Sequence, residues 1–93
     1  MSAFITRVEL HSPQQGDYDK LHNAMEDAGF SRTIQWGGPP AYHLPTAEYI
    51  RVSDQTADQV LQLAVKAAAS VRQTFGVLVC RSAETVQQGL KPV

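Results

Sequence analysis

The chain has one cysteine, Cys80, among its 93 residues, so no disulfide can form within it. Cys80 lies in an apolar run, where a lone cysteine reads as a small buried hydrophobe rather than a nucleophile. Neither sign of charge is in excess: eight basic side chains face nine acidic ones, the formal charge is -1 and the pI is about 6.2. Any hold on nucleic acid must therefore come from a local patch, not from a global basic field. No apolar run is long enough to span a bilayer, and residues 1–10 carry no basic leader ahead of an apolar stretch. The expectation is a cytoplasmic protein with no membrane partner. No Gly-x-Ser-x-Gly elbow and no glycine-rich phosphate loop occur, and Gly37-Gly38 run into Pro39-Pro40 rather than into a helix. The histidines, His11, His22 and His43, stand too far apart for a metal-binding helix pair. Neither a metal site nor a small-molecule cofactor is expected.

What is present is an alternation of hydrophobic periods. Period-two runs at 4–10, 31–36, 47–53 and 75–81 read as strands. Period-3.6 stripes read as helices at 17–28, through Tyr18, Leu21, Met25 and Ala28, and at about 57–72, through Val60, Leu61, Ala64, Ala67, Ala68 and Val71. Gly29 is the expected left-handed stop of the first helix. Thr56 and Gln59 have the spacing of a capping box for the second. The order predicts an α+β fold, a ferredoxin-like βαββαβ sandwich. Its four-stranded antiparallel sheet would run fourth, first, third, second, with two helices on one face. Residues 1–93 form a single domain in this reading, with a poorly defined tail at about 83–93. The prolines at 39, 40 and 45 predict a loosely held loop over 37–45, with fast exchange at Gly37, Gly38 and Ala41 and some pairing resumed at Tyr42–Leu44 before Pro45.

Among the polar residues, His22 lies about 100° from Leu21 on its helix, at the border of the apolar stripe. An imidazole there can be oriented by packing yet reach solvent, which suits acid–base work. The bland alternative is a boundary histidine packed at the sheet rim. His11 and His43 read as loop residues. On the sheet, Val8, Ile50 and Val52 are expected to point inward, and Arg7, Tyr49 and Arg51 outward together. An aromatic ring flanked by arginines can stack a base and hold phosphate, so these three are the candidate RNA-binding residues. The competing reading of that face is a homodimer interface or a plain solvated surface.

Two blocks carry a resemblance: Leu21-His22-Asn23-Ala24-Met25-Glu26-Asp27-Ala28-Gly29-Phe30-Ser31, and Tyr42-His43-Leu44-Pro45-Thr46-Ala47-Glu48-Tyr49. In them, and across 4–90, the chain resembles the GhoS-like family of type V toxin–antitoxin antitoxins and their uncharacterised relatives. The resemblance implies a ferredoxin-like fold and an endoribonuclease that cleaves a toxin's messenger RNA without forming a protein–protein antitoxin complex. It also implies a functional position on the first helix, held by arginine in the antitoxin and by His22 here. Two expectations follow. One is an RNA-directed regulatory protein acting as a metal-independent endoribonuclease, with His22 catalytic. The other is a non-catalytic interaction or dimerisation module that binds or blocks a partner through its sheet face or edge.

Overall fold

The computed structural model describes residues 1–35 and 40–93. Its elements are β1 (Ser2–Leu10), α1 (Asp17–Asp27), β2 (Thr33–Gln35), β3 (Ala41–His43), β4 (Glu48–Ser53), α2 (Ala57–Ala69) and β5 (Phe75–Ser82). The strand alternation in β1 sets the core. Phe4, Thr6, Val8 and Leu10 are buried, while Arg7 and Glu9 between them are exposed. Leu21 and Met25 of α1 and Val60, Ala64, Ala67 and Ala68 of α2 pack into one cluster with that buried set. The alanines of α2 bring its backbone close to the strands. Dispersion and burial of these side chains stabilise the layer by roughly 1.5–3 kcal/mol for each large residue.

Both helix ends follow the sequence chemistry. Thr56 and Gln59 form a reciprocal box at α2: Gln59 N–H donates to Thr56 Oγ1 at 3.2 Å, and Thr56 N–H donates to Gln59 Oε1 at 2.9 Å. At the end of α1, Gly29 takes φ 94°. Its N–H donates to the Glu26 carbonyl at 3.0 Å, and Phe30 N–H donates to the Met25 carbonyl at 2.9 Å. That pair of bonds is a Schellman stop, and Phe30 and Met25 close it with a shared place in the core.

The four-stranded ferredoxin-like sheet is not what forms. A three-stranded antiparallel sheet has the order β4-β1-β5, and β2 and β3 make a separate two-stranded ribbon. The segment expected as the second strand does bridge to β4, through Ser31, which exchanges two 2.8 Å backbone bonds with Ile50. The chain then turns away and pairs with β3 over Thr33↔His43, Ile34↔Tyr42 and Gln35↔Ala41. Ala41 is thus part of a strand, not of an open loop. The expectations for Trp36, Gly37, Gly38 and Pro39 fall outside the described residues.

Residues 83–93 form a strap whose last residues bond to the ribbon. His43 N–H donates to the Lys91 carbonyl and Val93 N–H to the Ala41 carbonyl, both at 2.9 Å, so the strap extends the ribbon along β3. No helix among the described residues is long and apolar enough to cross a membrane.

A Cβ at Gly29 would run into the Arg51 guanidinium, whereas one at Gly16, also at positive φ, meets open space. Both Gly→Ala changes strain the backbone by about 1–2 kcal/mol. Gly29→Ala must also displace charge-assisted bonds made by Arg51, about 1 kcal/mol more after allowance for partial exposure. Urea unfolding should place Gly29→Ala clearly below Gly16→Ala. Equal stabilities would mean that Arg51 does not seal this helix end.

Candidate functional site

The direction of each β4 side chain is decided by its partner on β1. Tyr49 pairs with Thr6 and Arg51 with Phe4, so both lie on the helix-covered face. Tyr49 is fully buried. This reverses the expected orientation of β4: Ile50 and Val52 lie on the other face, where Val52 is 58% exposed. The apolar pair in Glu48-Tyr49-Ile50-Arg51-Val52-Ser53 suggests the opposite register, but volume and bonding decide. Tyr49 fills the space between β1 and α1, with its hydroxyl satisfied there. Ile50 is half-buried, and its backbone pairs with Ser31.

Arg51 is likewise not an outward phosphate ligand. Its Nη1 donates to the Ala28 carbonyl at 3.0 Å and to the Gly29 carbonyl at 3.2 Å, satisfying orphan acceptors at the end of α1. Its Nε donates to Gln55 Oε1 at 2.9 Å, and its guanidinium lies 5.8 Å from the Phe30 ring centroid. Arg7 does face outward from the sheet. It is 68% exposed and 4.0 Å from Glu48, its cross-strand neighbour. Arg7, Tyr49 and Arg51 therefore do not form one platform. Cys80, expected to be buried, is exposed on the face of β5 turned away from the helices.

His22 and Tyr49 are brought together instead. His22 Nδ1 and the Tyr49 hydroxyl share a 2.6 Å hydrogen bond between α1 and β4, with the rings tilted at 57°. His22 is 8% exposed. Burial pushes its pKa below the usual 6.5, and the positive charge of Arg32 adds to that effect; Asp19 and Glu26, on the same flank of α1, oppose it. Burial raises the Tyr49 hydroxyl to about 12, so it stays protonated at neutral pH. When Nδ1–H donates to Tyr49, Nε2 keeps a free lone pair; when Tyr49 donates, Nε2 carries the proton. Either way the tyrosine fixes the ring.

Arg32, exposed, is the cation that acts on this pair, and the sequence pattern did not single it out. The signal that could have found it is the pairing of 31 with 50, which carries residue 32 toward the Tyr49 end of β4. His11 lies 3.4 Å from Glu9 on the surface, and His43 is exposed on β3. Among the described residues, no three His, Cys, Asp or Glu side chains are grouped to hold a metal ion. The chain matches no protein-family model, no curated protein and no solved structure.

The lowered histidine pKa has a stability consequence. Below pH 6.5 the unfolded chain takes up a proton that folded His22 resists, so stability present above that pH is lost as pH falls toward the folded pKa. The urea midpoint should therefore drop more steeply between pH 7 and 5 in the parent than in His22→Gln. Parallel profiles would show that His22 is not held neutral by the fold.

Proposed function

We propose that this protein acts on RNA as a metal-independent endoribonuclease of the antitoxin-like kind, in the cytoplasm. The observation that carries the reading is the 2.6 Å bond that orients His22 from behind through Tyr49. The neutral imidazole takes a proton from a ribose 2′-hydroxyl at Nε2. The 2′-oxygen attacks the adjacent phosphorus, the bond from phosphorus to the 5′-oxygen breaks, that oxygen takes up a proton from water, and the hydroxide left takes the proton back from His22. The products are a 2′,3′-cyclic phosphate and a 5′-hydroxyl end. Arg32 holds the non-bridging oxygens, where charge builds in the transition state. Tyr49 is a positioning residue. It touches no substrate, and its hydroxyl keeps Nδ1 engaged.

A second reading rests on a different surface. Val52 and Leu78, 58% and 62% exposed, lie on the sheet face away from the helices. β5 pairs with β1 alone in its sheet, which leaves the other edge open. That surface suits a protein partner, including a second copy of the chain, and needs no chemistry.

Incubation of the purified protein with a mixed RNA pool in chelator separates the two. Cleavage should leave cyclic phosphate ends and fall only as pH drops toward the lowered pKa of His22, because a protonated His22 is no base. His22→Gln should lower the rate about 100-fold or more. Tyr49→Phe should shift the pH profile as well as lower the rate. Arg32→Ala should weaken binding and reduce its salt dependence. Full cleavage by His22→Gln removes its catalytic role. No RNA binding by the parent, together with self-association or capture of one protein partner, establishes the interaction module instead.

A further inference from the structure

On the sheet face away from His22, a cleft of about 320 Å³ opens between the main sheet, the β2–β3 ribbon and the strap. Its volume is at the low end of the range for small-ligand sites. Ile5, Ile34, Leu44, Pro45 and Leu90 supply apolar walls, Thr85, Gln87 and Gln88 add polar groups, and among the described residues Glu48 is the one charged side chain that lines it. The Glu48 side chain is 23% exposed, and its partner Arg7 stands off at 4.0 Å, beyond hydrogen-bond reach. The carboxylate is thus partly desolvated, yet retains acceptor capacity for a ligand.

The backbone at the cleft's lip is held in an unfavourable conformation. Ala47 has φ 67°, a left-handed value that a residue with a Cβ adopts at a cost of about 1 kcal/mol. The Glu48 N–H donates to the Pro45 carbonyl and the Val8 N–H to the Ala47 carbonyl, each at 3.0 Å, so the turn is locked from both sides. The turn delivers Glu48 to the sheet with its side chain on the cleft face. Strain of this kind persists where the surroundings over-determine it, as binding sites do.

From this arrangement we infer that the cleft is a base subsite for an unpaired guanine of the RNA, a reading that rests on the proposed function. A flat ring fits between aliphatic walls. The carboxylate accepts from the paired N1–H and N2–H donors on one edge of guanine. Cytosine and adenine offer an amino group without that paired ring N–H, and uracil offers a single ring N–H. Arg7, mostly exposed and paired with Glu48 at 4.0 Å, supplies the cationic group at this edge for a phosphate. Because Arg7 offsets the carboxylate's charge, a neutral ring with two donors is favoured over a free cation.

Titration of the isotope-labelled protein with guanosine 5′-monophosphate, followed by amide chemical shifts, tests the inference. This nucleotide has no phosphodiester bond, so the readout stands whether or not the protein cleaves RNA. Saturable shifts should cluster at Ile5, Ile34, Glu48 and Leu90, with binding about tenfold or more weaker for uridine 5′-monophosphate. Glu48→Gln should abolish the preference between the nucleotides while its urea midpoint stays near the parent's, and Arg7→Ala should weaken both nucleotides alike. Shifts centred on residues 19–26 instead, equal binding of the two nucleotides, or no saturable shift would each overturn the subsite.

Discussion

The inward placement of Tyr49 sets the rest of the architecture. A strand has two faces, and a slip of one residue exchanges them completely. With Tyr49 opposite Thr6, its hydroxyl reaches His22 on α1, while Arg51 two residues on reaches the carbonyls at the end of the same helix. β4 therefore grips α1 at two points. The same parity sends Glu48, Ile50 and Val52 to the opposite face, where Glu48 meets Arg7 and the cleft. Slipping β4 by one residue would bury Glu48 unpaired and expose Tyr49. Either change costs more than the modest stability margin of a chain this size readily tolerates.

The hydrogen bond between His22 and Tyr49 has both structural and chemical consequences. Inside a packed layer each of these groups would be costly without a partner, and pairing them removes that cost. The geometry that satisfies the core also fixes the imidazole, and burial together with Arg32 keeps it neutral near pH 7. The ring is thus neutral and held in one orientation by the fold itself. The work proposed for this protein then divides between the two sides of the sheet: proton transfer on the helical side, base discrimination on the side closed by the strap.

The helices were legible because their signals are local. Apolar stripes, the Thr56–Gln59 box and the Gly29 stop all act within one or two turns, and each forms as expected, to within a few residues at the ends. The order of the three paired strands was legible from the order of the elements, with clear alternation in β1 and a nearly continuous apolar run in β5. The ribbon was not. Three prolines near 40 disguise the short strand Ala41–His43, and its second neighbour is residues 91–93, distant in sequence. The orientation of β4 was not legible either, because Ile50 and Val52 compete with Tyr49 for the inward face and only the cross-strand register decides between them. His22 was found through its position at the border of a stripe. Arg32 depends on a single bridge, Ser31 to Ile50, which no local pattern announces.

The most direct measurement is nitrogen-15 and proton NMR of the His22 ring and the Tyr49 hydroxyl in the intact protein. The account predicts a neutral imidazole at pH 7 that titrates below 6.5, with a hydroxyl or ring proton between the two residues protected from exchange with water. A ring that titrates at its ordinary value, with no protected proton shared with Tyr49, would contradict it.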